Sequence, residues 1–317
     1  MPLISIVLPI FNEEKNIPKL WEELQIVEKQ IVKQSFGDGP SFECEYIFVN
    51  DGSKDNSLFE LTKLFEENKG KVKVINFSRN YGHQIAVTAG QDRATGAAVI
   101  IMDTDLQDPP EICIDLISEW QKGFDIVYAQ RSYYKSNWFK QLCGWTFYRI
   151  LKSIASVDIP VDTGDFRLIS KRVNNEMKKY GEKAKYLRGI SSLVGFKQSC
   201  VKFCRNERFE GKAGYTFLKS LKLAIDGITG FSVFPLQFIS ILGTIFAGFA
   251  FIFGFFYIIY SLTTQNTTGG WASIMLTIIF MGGVQMIMLG LIGEYVGRIY
   301  VQSLDRPLYT IDKILEK

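Results

Sequence analysis

Through the first half of the chain, apolar runs of strand length alternate with segments of helical spacing. Leu3–Ile10 is a continuous β-rich run, and Ile17–Val32 repeats its apolar residues at helical intervals. Cys44–Val49, Val72–Phe77, Ala97–Met102 and Phe124–Ala129 read as further strands, and Ser57–Glu67, His83–Ala94 and Pro110–Lys122 as helices. This βαβα order predicts a mainly parallel sheet covered on both faces. Right-handed crossovers then bring the C-terminal strand ends to one edge, where open α/β sheets bind ligands. Ser170–Phe203 has no simple period and reads as mixed helix and strand. The apolar N-terminus has no basic region and no small-residue cleavage site, so it is expected to be a buried strand rather than a targeting segment.

The second half changes character. From Gly227 to Gly293 there is no Asp, Glu, Lys, Arg or His. Two apolar spans, about 231–262 and 271–293, each exceed the roughly 20 residues that cross a bilayer core. The short connector TTQNTTGG makes them a hairpin and carries no Lys or Arg, whereas Lys212, Lys219 and Lys222 precede the first span and Arg298, Arg306 and Lys313 follow the second. The positive-inside rule therefore places both termini and the large domain in the cytoplasm. Small residues four apart (Gly243 and Ala247, Ala250 and Gly254, Gly293 and Gly297) suit close helix packing, within the hairpin or in a homo-oligomer.

A formal net charge of +3 is too small to point to nucleic acid, but its distribution is uneven. Arg131, Lys135, Lys140, Arg149 and Lys152 lie in a stretch without acidic residues and are interleaved with aromatics, a composition suited to an anionic, greasy surface. An Asn137–Ile154 helix would rest Trp138, Leu142 and Trp145 in the membrane interface. The scattered cysteines form no CxxC pair, and the single histidine, His83, lies far from Cys200 and Cys204, which argues against structural zinc and for reduced thiols.

Four polar clusters each follow a predicted strand: PIFNEE, NDGSKD, FSRN and DTDLQD. Turn and cap chemistry could account for any one of them; their shared position on one sheet edge marks a site. Asp103 and Asp105, two apart on a strand end, would point the same way and repel unless a cation lies between them. A hard divalent ion, Mg²⁺ or Mn²⁺, would bridge them to a diphosphate, with Gln107 beside them. Asp108 reads as a cap for the helix starting at Pro110. Arg167, two after Asp165, would share its face on an extended segment, so a structural ion pair between them competes with a catalytic role.

PIFNEEKNI, VNDGSKDNS, FSRNYGHQIAVTAG, MDTDLQDPPE, TGDFRLIS and GGVQMIMLGLIGEYVGRIY together resemble the polyprenyl-phosphate glycosyltransferases of glycosyltransferase family 2, namely bactoprenol glucosyltransferases and, more distantly, dolichyl-phosphate mannose synthases. The resemblance covers nearly the whole chain. It implies an α/β GT-A catalytic domain plus a C-terminal two-helix transmembrane hairpin, and inverting sugar transfer to polyprenyl phosphate at the cytoplasmic face of a bacterial inner membrane. By the same resemblance Pro9, Asn12, Glu13, Asp51 and Arg79 surround the nucleoside. Asp103, Asp105 and Gln107 meet nucleotide and metal. Asp165 takes the position of the catalytic base. Arg131, with Arg205, Arg208 and Lys212 of the following basic loop, holds the acceptor phosphate. The loop departs from its relatives, with Ala213 and Gly214 where a polar Ser/Thr-Lys pair is usual.

The expected division is a GT-A domain at 1–204, an amphipathic interface segment at 205–229, the hairpin at 230–297 and a cytoplasmic tail at 298–317. Expected partners are the nucleotide-sugar, the lipid phosphate, the bilayer, a homo-oligomer and a flippase partner, and not nucleic acid. UDP-glucose is the first choice of donor, with GDP-mannose, UDP-N-acetylglucosamine and UDP-aminoarabinose as alternatives. A processive polysaccharide synthase would carry QxxRW and more spans. A membrane-tethered nucleotide-sugar-binding scaffold is the reading from another class; the intact DTD and TGDFR sequences weigh against a decayed site.

Overall fold

A computed structural model describes residues 2–33, 42–131, 163–183, 185–204, 234–264 and 270–316. The described residues form two compact units.

The first unit is built on strands β1 (Leu3–Ile10), β2 (Glu43–Asn50), β3 (Val72–Phe77), β4 (Ala98–Ile101), β5 (Ile126–Arg131), β6 (Thr163–Ser170), β7 (Gln198–Phe203) and β8 (Ile311–Leu315). They make one sheet in the order β7-β5-β6-β4-β1-β2-β3-β8. β4, β1, β2 and β3 run parallel, as do β5 and β7, while β6 and β8 are antiparallel to their neighbours.

The apolar runs are continuous because both faces of the sheet are buried. Ile4, Ile6, Leu8 and Ile10 pack on one side with helices α1 (Asn16–Lys33), α2 (Ser57–Glu67) and α4 (Ile112–Gln121), through residues such as Leu20, Leu24, Leu61 and Leu116. Val7, Ile47, Val49 and Ile101 pack on the other side with α3 (His83–Arg93), α5 (Lys171–Lys178) and α6 (Leu187–Leu193), through Ala86, Val173 and Ile190. Each buried Leu or Ile in these layers stabilises the fold by roughly 1.5–3 kcal/mol. α3 presents small residues to the sheet. A Cβ on Gly90 would lie 2.2 Å from Val7 Cγ1, so only glycine lets this helix approach so closely.

The eight elements expected from β1 to α4, and β5 after them, are found within a few residues. The sheet is less uniformly parallel than the βαβα order predicts, because β6 inserts antiparallel between β4 and β5. The C-terminal residues, expected as a tail at 298–317, include a strand. Beyond the two long helices the chain returns as β8 to the β3 edge, so the catalytic unit consists of residues before 205 together with Arg306–Glu316. An unpaired sheet edge exposes backbone donors and acceptors, and β8 covers that of β3.

The second unit includes α7 (Phe234–Thr264) and α8 (Trp271–Ser303). Their apolar windows, Leu236–Tyr257 and Thr277–Ser303, have mean hydropathies of 2.2 and 1.6, and no part of either is buried within the protein. Phe246 meets Phe280 edge to face at 6.1 Å, and Met288 Cε would lie 3.4 Å from a Cβ on Gly243. Twenty-two helical residues span about 33 Å, enough to cross the hydrocarbon core. The second helix does not stop near Gly293 as expected: Arg298 Nε donates to Glu294 Oε1 at 3.0 Å, an i,i+4 pair that carries the helix on to Ser303.

Gly90→Ala should destabilise the catalytic unit by about 1–3 kcal/mol through overpacking against Val7. Gly181→Ala, with open space around it, should change stability by no more than about 0.5 kcal/mol. Denaturant unfolding of the detergent-solubilised protein, followed by tryptophan fluorescence, checks both.

Candidate active site

The loops after β1 and β2 are joined to one another. Asn12 turns the chain with φ of +56°, a conformation that Asn tolerates better than most residues. Its backbone N–H donates to Ser53 Oγ at 3.0 Å, while its side-chain oxygen accepts from Lys54 N at 2.8 Å. Glu13 N donates to Ser57 Oγ at 3.0 Å, Glu14 N to Asp55 Oδ2 at 3.1 Å, and Asn56 N returns a hydrogen bond to Glu14 Oε2 at 2.9 Å. The Glu13 carboxylate accepts from Asn16 Nδ2 at 2.5 Å. The PIFNEE and NDGSKD motifs thus form one wall.

Asp51 binds the next loop into that wall. Its carboxylate accepts from the backbone N–H groups of Tyr81 (2.6 Å) and Gly82 (2.9 Å) and from Asn80 Nδ2 (2.9 Å). Burial raises its pKa, against the pull of these backbone donors and of His83. Gly52 is required here twice over: its φ is +63°, and a Cβ would lie 2.4 Å from the backbone carbon of Arg79. The Arg79 guanidinium lies over the Tyr81 ring at 4.4 Å.

β4 ends at Ile101, so Asp103 and Asp105 lie in the turn beyond it and not on the strand end as expected. Thr104 secures that turn, its buried hydroxyl donating to the Pro9 carbonyl at 3.0 Å, and Leu106 has a φ of +58°. The Asp105 carboxylate accepts from Gln107 N at 3.2 Å. The pKa of half-buried Asp103 is raised from its ordinary value by desolvation, with Asp165, Asp108 and Asp105 adding negative charge and His83 opposing them. Such a crowded carboxylate suits a hard cation. Among the described residues no group of three His, Cys, Asp or Glu side chains is arranged to hold a metal ion by itself.

Asp165 lies on the fully buried β6 and meets three partners. Arg188 Nε donates to Oδ1 at 2.9 Å, Gln84 Nε2 to Oδ2 at 3.0 Å, and His83 Nε2 lies 3.2 Å from Oδ2. The same His83 nitrogen lies 3.5 Å from Asp103 Oδ1, so the histidine links the two carboxylates. Burial alone would raise the Asp165 pKa; His83, Arg188 and Arg167 outweigh it and hold the group far below the carboxylate range. His83 moves the other way: partial desolvation favours its neutral form, but Asp165 and Asp103 raise its pKa.

The Asp165–Arg167 ion pair that competed with a catalytic role is not formed; Asp165 pairs with Arg188 instead. Arg167 does share the Asp165 face of β6 but is fully buried, donating Nη1 to Ser191 Oγ at 3.2 Å, with Nε and Nη2 unpartnered. Arg188 and Gln84 were not legible as site residues, since YLRG and GHQI carry no spacing that marks them. Asp108 does not cap the helix, which begins at Ile112 after Glu111. Its buried carboxylate instead accepts from Arg131 Nη2 at 2.9 Å. The Arg131 guanidinium crosses Gly164, where a Cβ would lie 2.8 Å from Nη2. Arg205, Arg208 and Lys212, and the Asn137–Ile154 segment with Trp138, Leu142 and Trp145, lie outside the described residues.

Residues 5–178 match the family described as glycosyl transferase family 2. The chain belongs to glycosyl transferase family 2. Residues 235–299 of this glycosyltransferase also match the GtrB C-terminal hairpin. It is 43% identical over 310 residues to the uncharacterized glycosyltransferase YkcC of Bacillus subtilis (strain 168), covering 98% of this chain and 93% of that one. It is 38% identical over 312 residues to the prophage bactoprenol glucosyl transferase homolog of Escherichia coli (strain K12), covering 98% and 99%. The bactoprenol glucosyl transferase of Shigella phage SfV is also 38% identical, over 315 residues and 99% of both chains. Glucosyl-3-phosphoglycerate synthase from Mycobacterium tuberculosis, solved with Mn²⁺, UDP and glucosyl-3-phosphoglycerate, aligns with a TM-score of 0.44 at 16% identity, over 72% of this chain and 78% of that one; the likeness is too remote to transfer its ligands. The two apolar helices and the matched hairpin make this glycosyltransferase a membrane-associated protein.

Because folding lowers the Asp165 pKa, the stability it contributes is full above its unfolded value, about 4, and is lost as pH falls below that. Asp165→Asn should flatten the fall in unfolding free energy between about pH 5 and pH 3, measured by urea titration at each pH.

Proposed function

We propose that this glycosyltransferase moves a hexose, glucose from UDP-glucose first among the candidates, onto the phosphate of a polyprenyl phosphate with inversion. The observation that carries the reading is the near-full-length likeness to chains named bactoprenol glucosyl transferase, hairpin included. The geometry fits the same reaction. Asp51 and Asn12 line the nucleoside end of the edge, Asp103 and Asp105 the diphosphate, and Asp165 the reacting sugar. Arg131 faces the acceptor, sharing its charge with Asp108.

Asp103 and Asp105, with Gln107 beside them, would hold a divalent cation together with donor phosphates. A bound Mg²⁺ or Mn²⁺ offsets negative charge on the departing nucleoside diphosphate. The protein's own part is placement. A lipid phosphate is already anionic near neutral pH, so its oxygen needs no strong base. Asp165, held ionised by Arg188 and His83, is a poor proton acceptor; it fixes the sugar hydroxyls and the attack line instead. His83, with its raised pKa, keeps Asp103 and Asp165 from repelling one another. By the positive-inside rule the catalytic unit and both termini lie in the cytoplasm of a bacterial cell, where nucleotide-sugars are available.

Purified protein, one polyprenyl phosphate and a panel of radiolabelled nucleotide-sugars test this directly. Radioactivity from UDP-glucose should pass into the organic phase, and transfer from none of the panel would refute the assignment. Asp105→Ala should lower kcat by at least about 10²-fold, and excess chelator should abolish wild-type turnover. Full turnover in chelator would remove the cation from the scheme. Arg131→Lys, which keeps a cation beside buried Asp108, should raise KM for polyprenyl phosphate roughly tenfold and leave donor KM within about twofold. An effect on donor KM alone would move Arg131 out of the acceptor site.

A further inference from the structure

Asn50 and Asn76 are buried polar side chains with no part in the chemistry above. They are paired across neighbouring parallel strands, so they lie on one face of the sheet. Both belong to a run of hydrogen bonds in which every donor points the same way. Asn12 N donates to Ser53 Oγ at 3.0 Å, and Ser53 Oγ donates to Asn50 Oδ1 at 2.5 Å. Asn50 Nδ2 donates to Asn76 Oδ1 at 2.7 Å, and Asn76 Nδ2 donates to Asp312 Oδ2 at 3.0 Å.

An ionised carboxylate can only accept, so Asp312 fixes the direction of the whole run. Asn76 must turn its amide nitrogen towards Asp312 and its oxygen inward. That orients Asn50 in the same sense and leaves the Asn50 oxygen free for Ser53. The carboxylate reaches Asn76 because β8 is irregular there: the ladder pairs Asn76 with Lys313 and Phe77 with Ile311, leaving Asp312 as the extra residue. A bulge of this kind re-aims a side chain. The same segment also supports the loop after β3 that Asp51 holds. The Tyr309 ring stacks on Phe77 at 5.0 Å, Phe77 meets Tyr81 edge to face at 5.6 Å, and Tyr81 N holds Asp51.

We infer that Asp312 is a positioning residue for the nucleoside end of the donor, acting through Asn76, Asn50 and Ser53 on the turn at Asn12. The inference rests on the reading that Asn12 and Asp51 flank the nucleoside. It makes the strand that follows the second apolar helix a working part of the donor site.

The test is UDP and GDP binding by calorimetry, with steady-state kinetics, on full-length detergent-purified protein. Asp312 is exposed, so its replacement leaves the core intact. Asp312→Ala should weaken nucleotide binding roughly three- to tenfold, the loss expected for one linked hydrogen bond, and raise donor KM to match. It should leave kcat at saturating donor and acceptor KM within about twofold. Asp312→Asn, whose amide oxygen still accepts, should restore affinity to within about twofold of wild type. Lys313→Ala, the next residue on the same strand, should also leave affinity unchanged. Unchanged affinity in Asp312→Ala, a fall in kcat without a change in affinity, or equal losses in all three variants would overturn the inference. If the wild-type protein binds neither nucleotide, the donor-site reading falls and this inference with it.

Discussion

A buried carboxylate in the middle of an antiparallel strand is costly unless charge and hydrogen bonds surround it. Asp165 is such a group, and its partners come from two separate parts of the fold: His83 and Gln84 at the start of α3, and Arg188 at the start of α6. Removing Arg188 would take away the arginine that pairs with this buried carboxylate. The requirement places the N-terminus of α3 over β6, and through His83 it draws in Asp103 from the turn after β4. Gln84 closes the arrangement by accepting from Leu187 N at 3.1 Å, so the two helices are bound to one another as well as to the carboxylate.

Around that centre the edge of the sheet is built largely from backbone. Asp51 is held by main-chain N–H groups, and the loops after β1 and β2 exchange hydrogen bonds in both directions. The PIFNEE and NDGSKD motifs are therefore rich in small polar residues for two reasons. Some of their side chains satisfy backbone groups that a strand-to-helix turn leaves unpaired, and others are available to a ligand. Ser53 belongs to the first group, accepting from Asn12 N while its hydroxyl donates to Asn50 Oδ1.

The chain lives in two solvents, and its residues are divided accordingly. In the catalytic unit, large apolar side chains are turned inward on both faces of the sheet. In α7 and α8 they face outward, with Phe251 77% and Ile287 69% exposed, which is stable only against lipid or another helix. Only a few residues separate α8 from β8, so the apolar hairpin is covalently inserted between two parts of one sheet. The strand that follows the hairpin is hydrogen-bonded through Asp312, Asn76 and Asn50 to Ser53 in the loop after β2.

By itself the sequence determined the strands and helices from β1 to α4, because their apolar periods are long and local. It also determined the two apolar helices, because a stretch without charge over that length has few other readings, and the acidic pair at Asp103 and Asp105, because its spacing is a local fact. Only the tertiary structure decided the partners. Along the sequence Arg167 is the nearer arginine, two residues from Asp165, and Arg188 lies 23 residues away; the packing of α6 across β6 selected the more distant one, since Arg167 is directed to Ser191. Asp108 reads as a cap, and the path of β5 made it the partner of Arg131. β6 and β8 escaped the sequence reading for a common reason. Each enters the sheet antiparallel and far from its neighbours along the chain, and a strand's place in a sheet is set by backbone pairing and burial across long separations, which no local pattern records.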